Sequence, residues 1–331
     1  MFFLLWLSLT ASGHTLNPDK SHGVELSSSD HSALFFPFWS GDTRFFRGGL
    51  YLVIRGANNE EGMSIYRWDE EGCRRIFQTT PREGLWASRA TAVDESGDTL
   101  YFSGYLDGLV YRYNPVEGFR RFAEKNFVQS LFVYKGVPVR GHKGPGHDLE
   151  TVGNRELPVL SLINRRLPEG VDHPSESRIN KQEMVLARNG HRLAVGYRLS
   201  QPVVIFDLED GRRLETHRLR RLFAGYIPPT QTFDVKNINR KTSVEWSERH
   251  HRLQSLAWFG EDLFGHFQKG YEGYGVWVRL NRPGFVWDNN RQTTKIMAMG
   301  PERLLLGSVK ETEVGEVRWS LRQGLSLPSA P

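Results

Sequence analysis

A short apolar strand that ends in glycine recurs along the 331-residue chain and restricts the folds open to it. Two clear copies are "GDTLYFSGY" from Gly97 and "GHRLAVGY" from Gly190, each with a polar turn before the strand. The six copies close at Gly56, Gly104, Gly141, Gly196, Gly265 and Gly307. A unit of this size cannot bury its apolar faces alone, so neighbouring copies have to pack against one another.

Further strands flank these copies. The apolar strands "RATAV", "QSLFV", "QEMVL", "QSLAW" and "KIMAM" precede five of the turns, and strands such as "LVYRYN" and "VVIFDL" follow the glycines. Alternating β-branched and aromatic positions between Gly, Asp and Asn turns are typical of antiparallel meanders. The turns recur near residues 49, 97, 136, 190, 260 and 300, at spacings that bracket the period of about 40 to 50 residues found in propeller blades. The sequence therefore predicts an all-β, six-bladed β-propeller with three- to four-stranded antiparallel blades.

The units "VDESGDTLYFSGYLDGLVYRYNPVEG" and "NGHRLAVGYRLSQPVVIFDLEDG" resemble blades of the six-bladed β-propeller superfamily, which includes TolB-like, NHL-repeat and gluconolactonase-like proteins. The resemblance covers nearly everything after residue 33. The chain has no "YWTD" motif, no "WD" series and no sialidase Asp-box. The resemblance thus implies an architecture and no particular activity.

Two long insertions and a closing strand complete this predicted architecture. The insertions follow Gly141 and Leu222 and are rich in Pro, Gly and charge, which predicts loops on one face. The last unit has few residues after "VRWSLR", and an open ring would leave bare sheet edges. We therefore expect residues 22 to 38 to supply the outer strand of the last blade.

The N-terminal residues "MFFLLWLSLTASG" predict an export signal over residues 1–13, with an apolar stretch too short to span a bilayer as a helix. Residues 14–331 are then a single propeller domain, expected to be periplasmic or secreted, monomeric and without a membrane span. Cys73 is the only cysteine, which excludes an intrachain disulfide. The net charge of +5 is modest and gives no indication of nucleic-acid binding, but it would favour an anionic ligand.

Hairpin geometry predicts a binding site at one mouth of the central channel. Residues equidistant from a turn face each other, so a polar residue that starts each innermost strand lies beside the residue after the glycine. The predicted pairs are Arg89 with Tyr105, Gln129 with His142, Gln182 with Tyr197, Gln254 with His266, and Lys295 with Ser308. This set is cationic, hydrogen-bonding and partly aromatic, which suits a polar or anionic ligand. Polar residues at strand ends are also common for a simpler reason, since strands end near water.

No cofactor or metal site is predicted. The segment "RGHKGPGHDLE" contains His142, His147, Asp148 and Glu150, but their spacing matches no recognised ligand pattern. A loop is the better interpretation there, and also for His250 and His251.

Three functions remain open from the sequence. The first is a non-catalytic exported propeller that binds a polar or anionic small molecule, a glycan or a protein partner at the mouth. The second is a polysaccharide lyase that cleaves a uronate-containing glycan by β-elimination, for which His142, His266, Tyr105, Tyr197 and Arg89 would be the catalytic candidates. The third, a metal-dependent lactonase, fits least well because Gln, Arg and Lys are poor ligands for a divalent cation.

Overall fold

In a computed structural model the described residues form antiparallel β-sheets and a short helix. The structure describes residues 23–28, 43–46, 49–55, 63–69, 72–78, 88–93, 99–104, 109–114, 116–124, 130–141, 148–167, 184–198, 200–228, 245, 248–270, 274–311 and 317–328. Within the part of the chain so described, no helix is long and apolar enough to cross a membrane. The predicted export signal lies outside these residues.

The strands are short and follow one another closely along the chain. The first nine are β1 (Gly23–Ser28), β2 (Thr43–Phe46), β3 (Gly49–Arg55), β4 (Met63–Asp69), β5 (Gly72–Gln78), β6 (Ser88–Val93), β7 (Leu100–Gly104), β8 (Leu109–Asn114) and β9 (Gly118–Glu124). The next eight elements are β10 (Leu131–Tyr134), β11 (Val137–Gly141), β12 (Leu149–Thr151), α1 (Pro158–Asn164), β13 (Met184–Asn189), β14 (Arg192–Tyr197), β15 (Ser200–Asp207) and β16 (Arg213–His217). The last seven are β17 (His251–Phe259), β18 (Asp262–Lys269), β19 (Val276–Arg279), β20 (Val286–Asp288), β21 (Thr294–Met299), β22 (Leu304–Glu311) and β23 (Val317–Gly324).

These strands form sheets of three or four antiparallel strands, as predicted. In strand order, sheet 1 is β2-β3-β4-β5, sheet 2 is β6-β7-β8-β9, sheet 3 is β10-β11-β12, sheet 4 is β13-β14-β15-β16, sheet 5 is β17-β18-β19-β20 and sheet 6 is β21-β22-β23-β1. The first strands of consecutive sheets contact each other, and β21 also contacts β2. The sheets are therefore arranged as blades around an axis, with β2, β6, β10, β13, β17 and β21 innermost.

Strand β1 closes the ring. It pairs with β23 over its whole length, from Gly23 opposite Arg322 to Ser28 opposite Val317. An N-terminal strand thus completes the sheet formed by the C-terminal strands, which confirms the closure predicted for residues 22 to 38. Joining the two ends of the chain removes an open edge from the last sheet.

The hairpin turns of neighbouring sheets meet at one end of the ring. The side chain of Asn189 donates to the carbonyl of Gly260 at 2.9 Å, and the amide of Gly260 donates to the carbonyl of Pro301 at 2.6 Å. Each of these turns joins the innermost strand of its sheet to the second strand. The first residues of β13, β17 and β21 therefore lie together at the opposite end, which we call the mouth.

The glycines that end the second strands allow the next sheet to approach closely. A Cβ added at Gly141 would lie 2.9 Å from the Cβ of Met184, the first residue of the next innermost strand. A Cβ at Gly196 would lie 2.8 Å from Cδ2 of Leu253 in the strand after that. Both distances are shorter than real Cβ contacts allow, so these two positions require glycine for packing between sheets.

The core lies between the faces of adjacent sheets. One cluster joins sheets 3 and 4 around Val139, Leu193 and Phe206, and another joins sheets 4 and 5 around Val203 and Leu263. Burial of each such aliphatic or aromatic side chain contributes roughly 1.5–3 kcal/mol. The ring is therefore stabilised by packing between blades, with no help from disulfides.

The first long insertion contains regular structure that the sequence analysis did not predict. Strand β12 and helix α1 lie within it, where a loop was expected. Pro158 begins the helix, and Leu160 and Ile163 share its buried face. The side chain of Asn164 holds this segment by bonding both the amide and the carbonyl of Leu149, at 2.8 and 3.0 Å. Seven residues are too few for a helix to be stable alone, so packing into the cluster between sheets 3 and 4 decides its formation.

Candidate functional site at the channel mouth

Part of the predicted mouth lies within the described residues. These members are Gln254, Lys295, Tyr197, His266 and Ser308, together with the backbone of Arg89. Tyr105, Gln129, His142 and Gln182 lie outside the described residues, as does His147.

The strand register differs from the predicted pairing in four hairpins. Tyr197 lies opposite Met184 instead of Gln182, because the two-residue turn is centred between Gly190 and His191. In sheet 6 Ser308 lies opposite Thr294, and Lys295 lies opposite Gly307.

The third difference concerns Arg89. Its neighbours Ser88 and Ala90 pair with Gly104 and Ser103, so Arg89 is an extra residue without an opposite partner. The predicted pairing of Arg89 with Tyr105 is therefore wrong, and the cause is a β-bulge.

Arg89 and Gln254 are both extra residues at β-bulges of innermost strands. In sheet 5 Leu253 pairs with Phe267 and Ser255 pairs with His266, which leaves Gln254 as the extra residue. The predicted pairing of Gln254 with His266 is therefore also wrong. Both bulges lie near the mouth end of an innermost strand. A bulge changes the direction of a side chain and is over-represented next to functional sites. Arg89 and Gln254, both predicted from the sequence as ligand-binding residues, thus each lie at a bulge near the mouth.

Gln254 is held by an arginine from the neighbouring sheet. A guanidinium nitrogen of Arg198 donates to Oε1 of Gln254, and the amide of Leu253 donates to the carbonyl of Arg198 at 3.1 Å. This bond fixes the orientation of the Gln254 side-chain amide. Its Oε1 faces Arg198, and its NH₂ group faces the other way. Guanidinium and NH₂ groups are donors only, and such a pair suits the oxygen atoms of an anion.

Tyr197 is part of this region but is deeply buried. Its side chain is 1% exposed, and burial raises the pKa of its hydroxyl to about 12, with the negative charge of Asp148 acting in the same direction. Asp148 immediately precedes β12, so sheets 3 and 4 meet here. The phenol is neutral at physiological pH and packs within the wall of the mouth.

His266 is also buried, with 2% of its surface exposed. Its ring stacks on Trp277 at 4.8 Å, and Nε2 donates to the carbonyl of Tyr274 at 2.9 Å. Burial lowers the pKa of His266 to about 4, and the bond to Tyr274 offsets this only in part. The imidazole is therefore neutral at physiological pH and has little access to a large ligand.

Lys295 binds the protein's own backbone. Its ammonium donates to the carbonyl of Asn289 at 2.5 Å and to that of Gln292, and it lies 4.7 Å from the ring centre of Tyr274. Burial lowers its pKa, and Asp288 opposes that shift. These contacts fix the segment between β20 and β21 and give Lys295 a structural role at the rim.

Two residues at the mouth escaped the sequence analysis. His251 was predicted in a solvated loop, but it begins β17, is 9% exposed and accepts the amide of Ile227 on Nδ1 at 3.1 Å. Arg198 was missed because only the residue directly after each glycine was considered. A signal for it was present, since Arg198 extends the same strand by one residue.

The acidic residues of the first insertion have protein partners. Glu150 accepts from Arg140, which faces it across β11 and β12, at 2.7 Å. Asp148 acts on Tyr197 as described above. Within the part of the chain that the structure describes, no group of three or more His, Cys, Asp or Glu side chains could hold a metal ion.

The ring of antiparallel sheets places the chain in the class of β-propeller proteins. No protein-family model and no curated protein matches the sequence. Solved structures do match, among them a member of the DUF4221 family from Bacteroides vulgatus, with a TM-score of 0.53, 11% identity and coverage of 87% of this chain and 93% of that chain. A candidate exported protein from Bacteroides fragilis matches with a TM-score of 0.52, 11% identity and coverage of 87% and 90%. The Cps50 (Swd1) beta-propeller domain of Myceliophteria thermophila matches with a TM-score of 0.43, 13% identity and coverage of 85% and 95%. Matches at identities this low show only a shared fold, so a function has to be inferred from the candidate site.

Proposed function

We propose that the protein is an exported, single-domain β-propeller that binds an anionic polar ligand at the mouth and does not transform it. Export rests on the N-terminal apolar segment over residues 1–13 and agrees with the description of the Bacteroides fragilis neighbour as an exported protein. In this proposal the mature protein is a periplasmic or secreted monomer.

The observation that carries the proposal is the pair formed by Arg198 and Gln254. The two residues come from different sheets and are joined by a hydrogen bond at the mouth. The bulge in β17 sets Gln254 out of the regular ladder, as the bulge in β6 does for Arg89. A guanidinium beside an oriented amide is suited to a carboxylate, which accepts two parallel N–H bonds from arginine.

The surroundings of His266 and Tyr197 favour binding over catalysis. A lyase needs a base that reaches a substrate proton and an acid that reaches the leaving oxygen. These two side chains are 2% and 1% exposed, respectively. Their burial supports a structural role for both within the wall of the mouth.

The test is the isosteric substitution Gln254→Glu. The carboxylate keeps an acceptor for Arg198 but places a negative charge at the mouth, so the fold is retained while an anion is repelled. We expect binding of free galacturonate and glucuronate, measured by calorimetry, to weaken about tenfold or more, which corresponds to about 1.4 kcal/mol.

The matched control is Gln323→Glu. Gln323 accepts from Arg303 at 3.0 Å, which reproduces the same type of pair near the turn of sheet 6, away from the mouth. This control should bind uronates like the unmodified protein. Equal binding by both variants would reject the mouth as the site. Unsaturated uronate ends formed during incubation with polygalacturonate, which has the glycosidic leaving group that free uronates lack, would establish a lyase.

A further inference from the structure

Seven exposed arginines follow the outer edge of sheet 4. They are Arg165 and Arg166 after helix α1, Arg212 and Arg213 at the start of β16, and Arg218, Arg220 and Arg221 after its end. We call this set the arginine strip. Strand β16 is the outermost strand of its sheet, so the strip lies on the rim of the ring.

Most of these guanidinium groups have no carboxylate partner. Arg212 lies 3.7 Å from Asp210, while the other six form no ion pair with any described residue. Arginines elsewhere differ, since Arg192 binds both Glu215 and Glu261, and Arg279 binds Asp262 at 3.0 Å. The strip is therefore a local excess of uncompensated positive charge.

Two members of the strip are held in place by backbone contacts. Arg166 donates to the carbonyl of Gly211 at 2.8 Å, and Arg213 donates to the carbonyl of Arg166 at 2.7 Å. These bonds tie the end of helix α1 to the turn before β16. They occupy some N–H groups but neutralise no charge.

The strip leads to the mouth. His217 ends β16 opposite Val203, at the same end of sheet 4 as Arg198, which follows β14 two strands further in. Arg218, Arg220 and Arg221 follow directly. The segment then continues to Ile227, whose carbonyl accepts the amide of His251 at 2.8 Å. From the mouth end of sheet 4, the strip follows β16 back from His217 to Arg213 at the turn end. This stretch measures about 13 Å at about 3.3 Å per residue.

We propose that the ligand at the mouth is the end or a segment of a linear acidic polysaccharide, and that its chain continues over the arginine strip. This inference rests on the proposed function and names its ligand class. Arginine presents paired donors that match carboxylate and sulfate groups, and a row of such groups matches a polymer that carries repeated anions.

The structure favours a polysaccharide over a single-stranded nucleic acid. Binding of single strands needs aromatic side chains on which bases stack. The aromatic residues that follow the strip along the chain, Phe223 and Tyr226, pack against His251 with ring centres 5.1 and 5.6 Å away. Among the residues that the structure describes in this segment, the aromatic rings thus serve the fold and offer no stacking platform.

The experiment compares a polymer with its monomer. The variant R218Q/R220Q/R221Q should bind polygalacturonate about tenfold more weakly, with a smaller dependence on salt, and bind free galacturonate unchanged. The control R112Q/R155Q/R282Q loses the same charge at exposed arginines outside the strip and should bind both normally. Gln254→Glu should weaken the binding of both probes.

The possible outcomes separate the two proposals. Equal losses in the strip variant and its control would show a net-charge effect and overturn the strip. Binding of oligodeoxythymidylate as tight as that of polygalacturonate, at equal charge, would also overturn it. If Gln254→Glu changes the binding of neither probe while the strip variant weakens the polymer, the mouth proposal fails and the strip alone binds the polymer.

Discussion

At the scale of single residues, polar groups at the junction of sheets 5 and 6 are buried and bonded. Asn289 is fully buried, and its side chain both donates to the carbonyl of Ile296 at 2.9 Å and accepts the amide of Ile296 at 2.8 Å. It also donates to the carbonyl of Tyr274, which accepts from His266. A buried donor or acceptor without a partner costs about 1–3 kcal/mol, so this network specifies how the two sheets meet.

The buried histidine in this network makes stability depend on pH. The pKa of His266 is lowered from 6.5 to about 4 in the folded protein, so the unfolded chain binds a proton first as the pH falls. The contribution to stability is complete above about pH 6.5 and decreases down to about pH 4. At about 1.4 kcal/mol per unit, this loss amounts to about 3 kcal/mol.

The measurement is urea unfolding at several pH values. His266→Gln retains a side-chain donor for the carbonyl of Tyr274 but does not titrate, so its stability should vary less over this range. His191→Gln, at an exposed turn, controls for the loss of one histidine. An identical pH profile for His266→Gln and the unmodified protein would contradict this account.

At the scale of elements, the segment from Arg218 to Pro228 contacts the mouth at His251. Its residues Phe223 and Tyr226 pack on His251, and the amide of Ile227 donates to Nδ1 of that histidine at 3.1 Å. The segment carries three arginines of the strip. Its attachment therefore positions the part of the strip nearest the mouth.

Acid should break the bond between the Ile227 amide and His251, which is one of the contacts that hold this segment. Burial lowers the pKa of His251, as do Lys269 and His250, while the backbone of Ile227 and the charge of Asp288 oppose the shift. A proton on Nδ1 would remove the acceptor for the Ile227 amide. This bond is thus fully formed above the ordinary histidine pKa of 6.5 and is lost as the pH falls through the lowered folded value.

Hydrogen exchange of the Ile227 amide tests the attachment. His251→Phe keeps an aromatic ring against Phe223 and Tyr226 but has no acceptor, so this amide should exchange about tenfold or more faster at neutral pH. Amides in the middle of β17 should keep their protection. If the Ile227 amide exchanges at the same rate in both proteins, the bond does not hold the segment.

At the scale of the whole molecule, the pairing of β1 with β23 links the two ends of the chain into one ring. Sheet 6 loses its outer strand without β1, and β23 then has a free edge. Deletion of residues 1–28 should lower Tm by about 10 °C or more and reduce cooperativity. Deletion of residues 1–20, which keeps β1, is the control, and calorimetry is the measurement. Equal melting of the two truncated proteins would show that β1 contributes little to closure.

Several features of this architecture were predictable because their cause is local. Gly141 and Gly196 mark the ends of strands that must pass close to the next sheet, and this requirement repeats with each unit. The polar turns and alternating apolar positions likewise need no knowledge of distant residues. These patterns predicted the antiparallel sheets and the closing strand.

The site was predictable only in part, because its geometry depends on neighbouring sheets. Spacing placed Gln254 near the mouth, but a bulge in β17 determines that it stands outside the ladder. His266 and Lys295 were predicted as ligand contacts from their register. Their bonds to Tyr274 and Asn289 come from segments that the hairpin count ignores.

The sequence by itself determined the repeated strands, their turns and the need for a closed ring, since each follows from residues that are neighbours along the chain. Only the tertiary structure decided which polar side chains are buried in the walls and which meet at the mouth. The physical reason is that burial, bulges and hydrogen bonds such as that from Arg198 to Gln254 arise where separate sheets pack together.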